Sequence, residues 1–169
     1  MLEKFYPDYY MESAYAIDYE GLYRKGIRGI IFDIDNTLVP HGAPADERSK
    51  ALFARLKAIG YDCVLLSNNK EPRVKMFNDE VHVRYIFKAG KPGTRNYQRA
   101  MEMMGTNRET TIFVGDQLFT DVWGAKRAGI TSYLVRPMDP REEIQIVLKR
   151  FLEKPVLFLY RRKCARGKG

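Results

Sequence analysis

Two aspartates, Asp33 and Asp35, directly follow the apolar run Ile30-Ile31-Phe32 and precede Asn36-Thr37. In an extended strand, residues i and i+2 project to one side. Both carboxylates can therefore face one reaction centre where a strand opens into a loop. Two carboxylates so close repel, and one is driven toward its protonated form. Either a cation holds the pair or the two do different work, and both options are chemistry rather than packing. Further polar groups follow later apolar runs. Ser67 and Asn68 follow Cys63-Val64-Leu65-Leu66, Lys88 and Lys91 follow Tyr85-Ile86-Phe87, and Asp116 and Asp121 follow Thr111-Ile112-Phe113-Val114.

Three aspartates make a hard, oxygen-lined site of the kind that suits magnesium, which takes one or two carboxylates with substrate phosphate and water. Ser67, the backbone after it and a lysine would complete a phosphate cradle. Such an array serves phosphoryl transfer, which depends mainly on positioning and charge stabilisation. A carboxylate can itself be the nucleophile, giving an aspartyl-phosphate that water later hydrolyses. In that chemistry Asp33 attacks. Asp35 protonates the leaving oxygen and later takes a proton from the attacking water.

The elements that must position these groups alternate between strand and helix. Strands are expected at 27–33, 63–66, 85–87, 111–114 and 131–135. Helices are expected at 46–59 with Gly60 as the stop, at 71–78 with Pro72 in the first turn, at 93–104, and at 121–128 closed by Gly129. Ile144, Val147, Leu148, Phe151 and Leu152 mark a last amphipathic helix. This alternation predicts an α/β fold, a doubly wound, Rossmann-like open parallel sheet flanked by helices on both faces. Ligands of such sheets bind beyond the carboxyl ends of the strands, where all the polar groups above fall. Residues 1–26, rich in tyrosine, are expected to form an arm packed on the domain. Residues 27–153 form the core, and 154–169 a basic amphipathic tail.

Asp33-Ile34-Asp35-Asn36-Thr37 resembles the first motif of the haloacid dehalogenase (HAD) superfamily, DxDx[TV]. Ser67 resembles the second, Lys91-Pro92 the third, and Gly115-Asp116-Gln117-Leu118-Phe119-Thr120-Asp121 the fourth, GDxxxTD. The resemblance implies Asp33 as nucleophile, Asp35 as acid and base, Ser67 with Asn68 on the phosphate, and Lys91 on the transferring group. It implies a magnesium ion held by Asp33, Asp116 and the Asp35 backbone carbonyl, with Thr37 and Asp121 in support. Lys88 is the competing lysine, but Lys91 precedes proline as the family pattern expects. A halide leaving group needs no proton, so Asp35 favours a phosphatase over a dehalogenase.

The spacing from Asp35 to Ser67 leaves room for one helix and its loops, and that from Ser67 to Lys91 is shorter. The cap domain that many superfamily members insert there has no place. An open site borrows a lid from a partner or serves large substrates. Lipid head groups, nucleic-acid ends, phosphoproteins and nucleotide or sugar phosphates are the candidates, and the oligomeric state stays open. Pro7-Asp8, Gly29 to Asp33, Ser67-Asn68-Asn69 and Gly115-Asp116-Gln117 resemble a narrower group, the small class IIIA phosphatases of the phosphatidylglycerophosphate phosphatase type. That resemblance implies a phospholipid head group as substrate. A catalytically silent binding scaffold is the reading from another class, and the complete set of site residues argues against it.

Of 169 residues, 45% are hydrophobic and 30% charged, enough for one domain with a real core. No apolar run approaches the roughly 20 residues of a membrane span, and Met1-Leu2-Glu3-Lys4-Phe5 lacks the core of a signal peptide. Cys63 reads as a buried small hydrophobe, and Cys164 lies in the tail. Without a CxxC spacing, a reducing cytoplasm fits best. Residues 150–169 hold seven basic residues and one acidic, so most of the formal +8 charge belongs to the tail. Val156-Leu157-Phe158-Leu159-Tyr160 before Arg161-Arg162-Lys163 offers 155–169 as peripheral contact for an anionic membrane on the cytoplasmic side. The competing reading is a last packed segment with a solvated basic end. Nucleic acid is disfavoured, because no RNA-binding module or regular aromatic–basic interleaving is present. His41 follows the first motif within reach of substrate, but a loop histidine is more often simply solvated; His82 is expected on the surface, Trp123 in the core rather than as a substrate platform, and Met101, Met103 and Met104 as core filling.

Overall fold

The protein, as a computed structural model, is described for residues 1–139 and 144–166; the side chains of 144–147 lie outside the described set. Six parallel strands form one sheet in the order β1-β6-β5-β2-β3-β4. The strands are β1 (Tyr9–Met11), β2 (Gly29–Phe32), β3 (Asp62–Leu66), β4 (Arg84–Ile86), β5 (Thr111–Gly115) and β6 (Thr131–Val135). The helices are α1 (Tyr19–Arg24), α2 (Glu47–Ile59), α3 (Glu71–Val81), α4 (Arg95–Met104), α5 (Trp123–Arg127) and α6 (Ile144–Arg166).

β2 is wholly buried between β3 and β5, as its unbroken apolar run requires of a central parallel strand. Its alternation divides the core. Ile30 and Phe32 join Phe53, Leu56 and Phe77 from α2 and α3 on one face. Ile31 joins Phe113, Tyr97 and Ala100, the last two from α4, on the other. α2 starts where the sequence places it. Asp46 Oδ1 accepts from Ser49 N at 2.7 Å, Ser49 Oγ accepts from Asp46 N at 2.9 Å, and Gly60 ends the helix at φ +114°. Cys63 is buried and Cys164 exposed. His82 is exposed, while Met104 is buried and Met101 and Met103 pack against the second core.

The structure departs from the sequence reading in three places. The arm supplies a strand: β1 pairs with β6, and Ser132 donates to the Asp8 carboxylate through N and Oγ at 2.8 and 2.9 Å. Three residues whose partner lies more than a hundred positions away leave no period to read. The helix expected at 121–128 begins earlier, as a π turn over Leu118–Val122 that continues into α5. Trp123, at that junction, is half-buried and meets Phe5 edge-on at 5.3 Å. Finally, the last helix extends past the residues that mark it in the sequence. α6 runs through Pro155 to Arg166, so the described part of the tail is its second half. Val156 is buried with Leu118, Val122 and Leu134, and Glu153 Oε1 accepts from Leu118 N at 2.8 Å. These inward contacts sustain the helix despite the backbone bond that proline removes.

Glu153 thus pins α6 to the loop that carries Asp116. Glu153→Ala would leave a buried N–H without its acceptor, at a cost of about 1–3 kcal/mol. For a domain of this size that is a fall in Tm of roughly 2–12 °C. Glu153→Gln keeps an acceptor oxygen for Leu118 N and should avoid most of that loss. Scanning calorimetry on the two variants checks the difference, and equal melting would sink it.

Candidate active site

The loops after β2, β3, β4 and β5 meet at the carboxyl edge of the sheet around a cleft of about 270 Å³. Asp33, Asp35, Ser67, Asn68 and Lys91 all line it. Asp33 continues β2 by one residue, with its N donating to Val114 O at 2.9 Å. The chain then turns through Asn36, at φ +59°, and Asn36 N donates to Val39 O at 2.8 Å. The two aspartates take different partners. Asp33 stays on the cleft floor, while the Asp35 carboxylate accepts from Gly42 N and Asn69 Nδ2, both at 2.7 Å, and from Arg73 Nη2 at 2.9 Å.

Lys91 sits at the centre of the charged groups. Its Nζ lies 2.8 Å from Asp33 Oδ1 and 2.7 Å from Asp121 Oδ1, and all three side chains are buried. Burial opposes the charge on Lys91, but Asp121 and Asp33 outweigh it and hold the ammonium above the ordinary lysine range. Lys88 is exposed. The loop bearing Lys91 is fixed by Asn68, whose Oδ1 accepts from Lys91 N at 2.8 Å and whose Nδ2 donates to Lys91 O at 3.2 Å. The Asn68 side chain, expected on the phosphate, therefore spends both ends on the lysine backbone. Ser67 Oγ accepts from Asn69 N at 3.1 Å at the cleft wall.

Asp121 organises the turn after β5. Its Oδ2 accepts from Asp116 N and Gln117 N, each at 3.1 Å. A Cβ on Gly115 would come within 2.5 Å of that oxygen, so only glycine allows the turn to close this tightly. Thr37 Oγ1 donates to Asp116 Oδ1 at 3.3 Å. Carboxylate oxygens of Asp33, Asp116 and Asp121 lie within 4.8 Å of one another, a buried hard-ligand set that fits a divalent cation. Burial raises the Asp33 carboxyl to about 6 against the pull of Lys91, and raises Asp116 against the pull of Arg150. Such crowding is what a bound cation relieves.

Arg73 and Arg150 escape sequence reasoning, and His41 is read there as solvated rather than touching substrate. Arg73, in the first turn of α3, grips Asp35. Arg150, on α6, reaches both the carboxylate and the carbonyl oxygen of Asp116. His41, expected to be solvated, lines the cleft with Nδ1 3.8 Å from Asp35 Oδ1. Arg73 stands in the first turn of the helix that follows the Ser67 loop, a usable signal. Nothing local distinguishes Arg150 among the basic residues around it.

The sequence pattern of the family described as HAD-hydrolase-like matches residues 88–137, a stretch that holds Lys91, Asp116 and Asp121. The chain is 36% identical over 165 residues to "Probable phosphatase YqeG" of Bacillus subtilis (strain 168), covering 96% of each protein. It is 31% identical over 164 residues to "Phosphatidylglycerophosphate phosphatase 1, chloroplastic/mitochondrial" of Arabidopsis thaliana, covering 87% of this chain and 45% of the plant protein. In fold it resembles a crystal structure from Streptomyces avermitilis MA-4680 described as a "putative HAD family hydrolase". That likeness has a TM-score of 0.53 and 16% identity, over 68% of this chain and 76% of the other.

Proposed function

The chain belongs to the HAD-like phosphatases, and from that premise we propose a magnesium-dependent phosphomonoesterase that forms an aspartyl-phosphate on Asp33 and acts on phosphatidylglycerophosphate. One observation carries the reaction: Asp33, on the cleft floor, has one carboxylate oxygen held by Lys91, leaving the other to attack phosphorus. The new P–O bond forms as the bond to the leaving oxygen breaks, and Asp35 supplies that oxygen with a proton. Water then attacks phosphorus, Asp35 takes its proton, and phosphate leaves with the Asp33 carboxylate restored. Ser67 and Lys91 hold the phosphoryl oxygens. Asp33, Asp116 and the Asp35 carbonyl would hold magnesium, with Asp121 and Thr37 in support. Bound there, the ion offsets the negative charge of carboxylates and phosphate.

The lipid substrate rests on two supports. The plant relative's name gives the substrate class. The cleft is also open: only α2 and β3 lie between Asp35 and Ser67, and only α3 and β4 between Ser67 and Lys91. Among the described residues no helix is long and apolar enough to cross a membrane. On the lipid reading, such an enzyme would meet its substrate at the membrane surface, on the cytoplasmic side.

The test is a substrate panel with phosphatidylglycerophosphate in mixed micelles beside sugar phosphates, nucleotides and a phosphorylated nucleic-acid end. The lipid should give the highest kcat/KM, and no preference for it would remove the narrower assignment. Chelation should abolish turnover on every member, and added magnesium should restore it. Arg73→Met addresses the acid. Loosening Asp35 by about an ångström should cost roughly 10- to 100-fold in kcat. The loss should be larger for an alkyl phosphate than for a nitrophenyl phosphate, whose leaving group needs less help. Equal losses on both esters would dissociate Arg73 from proton transfer.

A further inference from the structure

α6 carries two apolar stripes. One faces the domain through Val156, Leu157 and Tyr160, with Glu153 bonded to Leu118 N. The other faces solvent. At 3.6 residues per turn, Leu148, Phe151, Leu152, Phe158 and Leu159 fall on one side, opposite the packed residues. Phe151 is 68% exposed, Leu148 66% and Phe158 60%. A helix needs only its inner stripe to stay attached to a domain. A second, contiguous and uncovered one marks a contact surface.

We propose that this outer face of α6 docks on an anionic lipid bilayer and sets the mouth of the cleft at the head-group layer. Charge selects the occupant. From Lys149 to Arg166 the helix has seven basic residues, and its one acid, Glu153, is turned inward. Lys154 Nζ lies 5.8 Å from the Phe151 ring centre, and the Arg162 guanidinium 5.6 Å from that of Phe158. Cations at the rim of an apolar stripe can stay at the head groups while the stripe enters the acyl boundary. A second copy of the chain fits poorly, because a two-fold contact through this face would set like charges against each other. The stripe from Leu148 to Leu159 spans about 17 Å, a length that lies along a membrane surface rather than crosses it.

The stripe begins at the site. Lys149 lines the cleft beside Asp33 and Ser67, and Arg150 grips Asp116. A helix lying on lipid would thus open the cleft toward the head groups. The sequence places the contact at 155–169. The structure moves its start to Leu148 and turns Val156, Leu157 and Tyr160 away from it. In purpose this surface rests on the lipid-substrate reading, while in geometry it stands on α6 alone.

The experiment is sedimentation of the full chain with phosphatidylglycerol/phosphatidylcholine vesicles and with pure phosphatidylcholine vesicles. Alongside it, a doubly substituted chain, Phe151→Ser with Phe158→Ser, is followed by sedimentation and by hydrolysis of a soluble nitrophenyl ester. The unsubstituted chain should bind the anionic vesicles, weakly or not at all the neutral ones, and lose binding with salt. The double variant should bind them ~10-fold or more weakly, because binding scales with buried apolar area, and should hydrolyse the ester unchanged. Equal binding by both chains, or equal binding to both vesicles, overturns the proposal. So does light scattering that finds a dimer converted to monomer by the substitutions. Failure of both proteins on the ester with selective binding intact would overturn the catalytic reading and support the surface.

Discussion

Asp33→Asn is expected to lower turnover on any phosphomonoester by ~10⁴-fold or more, the scale seen when a covalent nucleophile is removed. Asparagine is nearly isosteric, and its carbonyl oxygen can accept the bond that Lys91 now gives to Asp33 Oδ1. The fold should persist, so lost activity cannot be ascribed to unfolding. A steady-state assay on nitrophenyl phosphate, paired with a melting curve, makes the measurement. Activity equal to that of the unsubstituted chain would end the nucleophile assignment. Trapping adds a second arm: acid-quenched protein should retain phosphate covalently when Asp33 is present and release it all when it is not.

Lys91→Met should damage both fold and rate. Nζ bonds the carboxylates of Asp33 and Asp121, which burial and mutual repulsion already burden. Removing the shared cation leaves two buried acids unpaired, a cost of about 3–5 kcal/mol. That corresponds to a fall in Tm of roughly 6–20 °C for a domain of this size. Turnover should drop ~10²–10³-fold, as for loss of one preorganised group facing developing charge. Adding Asp121→Asn removes one of the stranded charges, so part of the stability should return while the rate stays low. An unchanged melting temperature in the single variant would show that the buried ammonium does not hold this cluster together.

These two residues also mark what was legible in the sequence. Asp33 could be found because β2 is a fully apolar central strand, and the first polar residue after it has only the strand's carboxyl end to occupy. The place of Lys91 in the cleft could be expected from the likeness of Lys91-Pro92 to the family's third motif. α2 could be bounded because Asp46 and Ser49 cap it reciprocally within four residues. Each of these signals is local. The contacts that escaped are long-range. Arg150 reaches Asp116 across 34 residues, and Asp8 reaches Ser132 across 124. Asn68 shows a further limit. Its place beside Ser67 suggests a phosphate ligand, and nothing local shows that its amide also bonds the N and O of Lys91.

The pairing of β1 with β6 governs when this protein can finish itself. Every strand in the sheet is parallel to its neighbours, so none can pair by simply turning back on the one before it. Asp8 emerges from a ribosome 124 residues before Ser132. At about 5–20 residues per second, that is a wait of roughly 6–25 s. Asp33 similarly waits for Lys91 and Asp121. Through that interval the nascent chain carries an unneutralised carboxylate and an unpaired β1. The site cannot be completed before Asp121 emerges, nor β1 paired before β6 does.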